Sequence, residues 1–111
     1  MAKPFVYLLT SNGCRPCYCG LGRNLLKELE DNDRCDGVEF NLSLLPKDHV
    51  VGKWATRYGF RHFPAFLFFH PTKLDIQDFR DKVCTDTSDK WKKGAMRKEV
   101  DVALDKIWGM P

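Results

Sequence analysis

Hydrophobic and polar positions follow two alternating periods along this chain. Phe5-Val6-Tyr7-Leu8-Leu9 and Ala65-Phe66-Leu67-Phe68-Phe69 are unbroken apolar runs of strand length, the pattern of strands covered on both faces. Between them Val38-Glu39-Phe40-Asn41-Leu42 alternates, which predicts a short half-buried strand. From Pro16 to about Asp31 the period becomes helical, with Leu21, Leu25 and Leu29 on one stripe and Leu26 at its edge. Gly20 and Gly22 inside it each cost about 1 kcal/mol relative to alanine, so a bend or a close packing contact is expected there.

Asn32-Asp33 and Asp36-Gly37 read as turn punctuation before the alternating strand. Pro46 and Asp48 open a second predicted helix that buries Val50, Trp54 and Tyr58, with Val51 and Ala55 beside them, and stops at Gly59. After Ala65 to Phe69, His70-Pro71-Thr72-Lys73 makes a turn. Leu74 to Phe79 reads as an antiparallel edge strand, and Asp81 to Asp89 as polar and irregular. A last helix is predicted to start between Ser88 and Gly94 and run to Trp108, burying Met96, Val100, Ala103, Leu104 and Ile107 before Gly109 and Pro111 end it. Two fully apolar strands in one small domain call for helices on both faces of a sheet, hence an α/β fold. No repeat, low-complexity tract or domain boundary interrupts residues 1–111, which read as a single domain.

With 111 residues and 43% hydrophobic content, the chain has material for one core. Its net charge of +3, from 18 basic and 15 acidic side chains, gives no strong pull toward nucleic acid. The apolar run Phe5 to Leu9 is too short for a signal peptide and lacks a small-residue cleavage site, and no segment approaches the roughly 20 apolar residues of a membrane span. The expectation is a soluble, monomeric, cytoplasmic protein. Its five cysteines agree, because an odd count is awkward in a secreted disulfide scaffold and ordinary in a reducing compartment.

Chemistry concentrates in Asn12-Gly13-Cys14-Arg15-Pro16-Cys17. Two cysteines separated by two residues at a helix start can close a disulfide ring or stay open as a dithiol. Unpaired N–H groups and the positive end of the helix dipole favour a thiolate at Cys14, and Arg15 adds a fixed positive charge. Pro16 suits the first turn, where its missing N–H costs nothing. Cys17, one turn further in, is placed to resolve a mixed disulfide formed on Cys14. Two other readings exist. A structural zinc site would need further ligands, yet there is no second C-x-x-C and only scattered His49, His62 and His70. An inert structural bridge over so short a loop would constrain the unfolded chain little. Cys19, Cys35 and Cys84 lack motif spacing and read as small hydrophobes.

The order strand, C-x-x-C helix, strand, helix, proline, strand, strand, helix resembles the thioredoxin family. Tyr58-Gly59-Phe60-Arg61-His62-Phe63-Pro64-Ala65-Phe66-Leu67-Phe68-Phe69 is similar to the thioredoxin segment Y-G-I-R-x-[IV]-P-T-L-x-x-F. The likeness covers most of the chain from Phe5 to Phe69 and the last helix more loosely. It implies a thioredoxin fold, with a central mixed sheet of four to five strands, and a cis proline at Pro64 facing the two cysteines. The backbone of Phe63 would then pair with an extended substrate, and Gly13, Arg15 and Pro16 would line the same site. Gly13 replaces the family's Trp, Arg15 replaces a Gly, and Leu8 stands where thioredoxins keep a buried Asp. Leu74 to Lys93 is about ten residues longer than the family pattern. Small, atypical phage thioredoxins and glutaredoxins depart in similar ways.

The resemblance implies a protein-disulfide reductase with Cys14 as nucleophile and Cys17 as resolver. It would need no cofactor beyond the Cys14–Cys17 disulfide, and would draw electrons from a thioredoxin reductase or from glutathione. A glutathione-linked, glutaredoxin-like enzyme and a thioredoxin-fold adaptor without turnover are the alternatives. His62, two residues before Pro64, is a candidate proton shuttle or simply a solvated loop histidine. Lys90, Lys92, Lys93, Arg97 and Lys98 could dock an acidic partner or form a solvent face. Trp54, Trp91 and Trp108 read as core or edge packing, and Tyr18 as apolar surface beside Cys17. Arg15 is expected to stabilise the reduced form and shift the couple toward the oxidising side.

Overall fold

The structure, a computed structural model, describes residues 3–13, 22–59, 63–84 and 95–109. Within them the chain forms β1 (Phe5–Thr10), α1 (Arg23–Asp31), β2 (Asp36–Asn41), α2 (Val50–Tyr58), β3 (Ala65–Phe69), a 3-10 turn (Ile76–Asp78), β4 (Asp81–Cys84) and α3 (Ala95–Trp108). The strands make one mixed sheet in the order β2-β1-β3-β4. β1 pairs with β2 in parallel and with β3 antiparallel, and β3 pairs antiparallel with β4. The two apolar runs are therefore the two inner strands. No helix among the described residues is long and apolar enough to cross a membrane.

Alternation along the strands divides the core in two. Val6 and Leu8 of β1, Phe66 and Phe68 of β3 and Val83 of β4 meet Leu25, Leu26 and Leu29 of α1 and Val100, Ala103, Leu104 and Ile107 of α3. On the other face Leu9, Ala65, Leu67 and Phe69 meet Val51 of α2 and Ile76. Helices thus cover both faces, as the sequence predicts. Arg97 at the start of α3 makes two bonds of 2.8 and 2.6 Å to Glu28 of α1, so it joins the helices of one layer and does not stand free for a partner. At the far end of α3 the Trp108 indole N–H donates to the Arg34 carbonyl at 3.0 Å. That accounts for Trp108 as packing. Trp91, Lys90, Lys92, Lys93 and the stretch from Ser88 to Gly94, where the last helix is predicted to begin, lie outside the described residues, as do Gly20 and Leu21.

Several local expectations are corrected. Gly22 is the N-cap of α1 rather than an interior helix residue, so it carries no mid-helix penalty. Asp36 and Gly37 belong to β2 and not to a turn; the reversal comes earlier, where Asp33 adopts φ 57°. Gly37 is glycine because α1 presses on the strand there: a Cβ would lie 2.6 Å from Leu26 Cδ1 and 3.1 Å from the Val6 carbonyl oxygen. Gly37→Ala is expected to destabilise the protein by about 1–3 kcal/mol through overpacking. Urea unfolding measures it, and a neutral result would show that Leu26 simply swings aside.

α2 begins at Val50, with His49 rather than Pro46 or Asp48 at its start: the His49 ring nitrogen Nδ1 accepts the Val51 N–H at 3.2 Å. Its buried residues are Val51 and Ala55, while Val50 and Tyr58 are exposed. Gly59 ends it at φ 87°, as predicted. Leu74 to Phe79 is not a strand. Asp75 accepts the Gln77 N–H and caps a 3-10 turn, which leaves Phe79 edge-on to Trp54 and Tyr58. The fourth strand is instead Asp81–Cys84, in part of the stretch expected to be irregular. Its one strongly apolar inward position, Val83, pairs with Phe66, and one such residue gives little periodic signal.

Candidate functional site

The register brings three chain segments to one end of the sheet. Leu9 pairs with Ala65 and Thr10 with Asn41, so the exit of β1, the entry of β3 and the exit of β2 lie side by side. β1 leads through Ser11 and Asn12 to Gly13, the residue before Cys14. β3 is entered through Phe63-Pro64. Pro64 is buried, the Phe63–Pro64 peptide is cis, and Phe63 packs with the cluster that contains Leu9, Val51 and Ala65. Gly13 has φ 81°, and a Cβ there would meet nothing within 4 Å; the backbone conformation, not space, asks for glycine.

Cys14, Arg15, Pro16, Cys17, Tyr18, Cys19 and His62 lie outside the described residues. Of the expected site residues, the structure therefore places Gly13, Phe63 and Pro64, and all three fall at this one end of the sheet. Register also puts Cys84 beside Ala65, next in sequence to Pro64, a neighbour that no spacing in the sequence could reveal. Cys35 is different. It is fully buried beneath the sheet, and burial, with the charges of Glu30 and Asp36 adding to it, pushes its thiol up to about 12. It stays protonated near neutral pH and cannot serve as a nucleophile.

The approach to Cys14 is held by polar contacts. The Asn12 N–H donates to Ser43 Oγ at 3.0 Å, and its side-chain oxygen accepts from Asn41 Nδ2 at 3.1 Å. One layer deeper, Thr10 is fully buried and its hydroxyl donates to Glu39 Oε2 at 3.1 Å. Arg23, the first residue of α1, makes a bidentate pair with the same carboxylate, Nε to Oε1 at 2.7 Å and Nη2 to Oε2 at 2.8 Å. Glu39 pairs in register with Leu8, which is fully buried where the family likeness would have an acid. Sequence reasoning assigned Glu39 no role. Its only signal was a polar position in an alternating strand.

The Arg23 hydrogen bonds, with the Thr10 hydroxyl, hold the Glu39 carboxyl below the usual carboxylate range. A depressed folded pKa contributes stability above the unfolded value of about 4.3, and that stability is lost as pH falls through the folded value. Wild type should therefore be more stable than Glu39→Gln at pH 7, with the gap shrinking by pH 3. Paired urea midpoints at the two pH values test this; a constant gap would contradict it. Among the described residues, no group of three or more His, Cys, Asp or Glu is placed to hold a metal ion. No protein-family model matches the chain, and no curated protein matches it.

Proposed function

We propose that the protein is a thiol–disulfide oxidoreductase of thioredoxin type that reduces protein disulfides through Cys14 and Cys17. The observation that supports this best is topological: β1, whose last residue precedes Cys14 by four positions in sequence, and the strand entered through Phe63-Pro64 are neighbours, and the exit of the first lies beside the entry of the second. The thioredoxin fold is part of the same reading, supported by a mixed four-stranded sheet with helices on both faces.

The chemistry follows from the dithiol. Cys14 thiolate attacks one sulfur of a substrate disulfide, forming a mixed disulfide and releasing the other sulfur as a thiolate that takes a proton. Cys17 thiolate then attacks the Cys14 sulfur, releases the second substrate thiolate, and leaves the Cys14–Cys17 bridge. Two electrons pass to the substrate. A reductase or glutathione must return them.

Insulin reduction tests the proposal, with either NADPH and a thioredoxin reductase or reduced glutathione as the electron source. Turnover above the protein-free control with one donor is expected, and the donor that works separates the thioredoxin-like from the glutaredoxin-like form. No turnover with either donor by folded protein would favour the adaptor.

A further inference from the structure

Glu39 does more than satisfy a buried hydroxyl. Its two oxygens reach both ends of one stretch of chain: Thr10, the last residue of β1, and Arg23, the first residue of α1. Between these two lie residues 11–22, which include Cys14 and Cys17. We propose that Glu39 is a positioning residue for the dithiol, a clamp on β2 that fixes both ends of the segment carrying the two cysteines. The inference rests on the oxidoreductase reading above.

Three observations carry it. Thr10 has no exposed surface, so its hydroxyl needs an internal partner and its position is tied to that of the carboxylate. The Arg23 contact is a two-bond, charge-assisted fork, the geometry that fixes orientation as well as distance. The Glu39 side chain is 20% exposed and that of Arg23 54%, so the carboxylate is held against the sheet while the guanidinium end of the pair is open to solvent and to screening. Asn12 adds a second tie on the same flank, through Ser43 and Asn41 of the neighbouring strand and turn.

The consequence concerns ring closure. Two thiols on one chain form a disulfide in proportion to their effective concentration, which rises as the segment that carries them is restricted to fewer arrangements. A carboxylate already engaged by Arg23 and Thr10 is poorly suited to take the proton of Cys17. Glu39 acts on the dithiol through the backbone of its flanks, and not as a base.

The test equilibrates the protein with reduced and oxidised glutathione and measures the effective concentration of the Cys14–Cys17 pair. In that exchange the two thiols give two electrons and two protons to glutathione disulfide, which leaves as two glutathiones. Glu39→Gln and Arg23→Ala are each expected to lower the effective concentration about 10-fold at constant pH. Combining Arg23→Ala with Glu39→Gln should cost no more than the larger single effect, as expected for partners in one interaction. Circular dichroism at zero denaturant confirms that each variant is folded. Should Glu39→Gln fail to fold, Arg23→Ala reads the clamp from the more exposed side.

A purely structural contact would lower the urea midpoint and leave the glutathione equilibrium unchanged; that result overturns the proposal. A Glu39→Gln effect that vanishes above the thiol pKa would assign Glu39 as a proton acceptor, and also overturns it. Wild type that forms no Cys14–Cys17 bridge in the same buffers refutes the oxidoreductase reading itself, so the two failures are distinguishable.

Discussion

Replacing Cys14 by serine is expected to abolish disulfide reduction, whereas Cys17→Ser should stop after the first step and accumulate a mixed disulfide with the substrate. The asymmetry follows from the proposed division of labour. Without the Cys14 thiolate no attack occurs; without Cys17 nothing expels the bound half of the substrate, and the intermediate awaits an external thiol. Non-reducing electrophoresis and mass spectrometry of Cys17→Ser after incubation with insulin would show the adduct. An adduct on Cys14→Ser instead would exchange the two roles. Turnover retained by Cys14→Ser would remove this dithiol from the chemistry.

The largest stability effect is expected from Phe66→Ala, at about 3–5 kcal/mol. Phe66 is fully buried in the inner strand β3, stacks with Phe68 at 6.4 Å between ring centroids, and pairs with Leu8 on one side and Val83 on the other. Removing its ring empties the centre of the layer beneath α1 and α3. For a domain whose total stability is typically about 5–15 kcal/mol, this approaches global unfolding at 37 °C. Val50 is the contrast. It is 64% exposed on α2, and Val50→Ala should stay within about 0.5 kcal/mol. Urea unfolding of both variants decides the matter, and a Phe66→Ala loss below about 1 kcal/mol would mean that the layer collapses around the gap.

How much of this was legible in the sequence depended on how many residues carried each signal. The inner strands were plain because Phe5 to Leu9 and Ala65 to Phe69 are apolar at every position, and α3 because Val100, Ala103, Leu104 and Ile107 repeat on one stripe. Local preference misleads where one contact overrides it. Asp36-Gly37 is turn chemistry by composition, yet Leu26 needs the missing Cβ and the backbone of Asp36 bonds to Pro4. In α2 the pattern alone does not choose the buried edge, because Val50 and Val51 have the same hydropathy, and only the sheet beneath says that Val51 faces inward. Leu74 to Phe79 has strand-like residues, but Asp75 caps a turn there. Around the candidate site, the cis bond at Phe63–Pro64 was legible through the motif likeness. The Thr10–Glu39–Arg23 contact was not, since it joins residues far apart in sequence across two strands and a helix.

The sheet order has a consequence for how the chain is made. β1 is synthesised well before β3, yet it ends as an inner strand, and one of its two edges waits for β3: Phe5 pairs with Phe69. At a synthesis rate of about 5–20 residues per second, the intervening chain takes roughly 3–13 s to emerge. During that time β1, α1 and β2 can assemble as a parallel unit, with Leu25, Leu26 and Leu29 of α1 on Val6 and Leu8, but the edge of β1 that takes β3 remains unpaired. Nascent chains stalled before residue 65 should therefore be the species most prone to aggregate or recruit chaperones, and chains in which β3, β4 and α3 have all emerged, so that both the edge and the layer of Phe66, Phe68 and Val83 are covered, should lose that tendency.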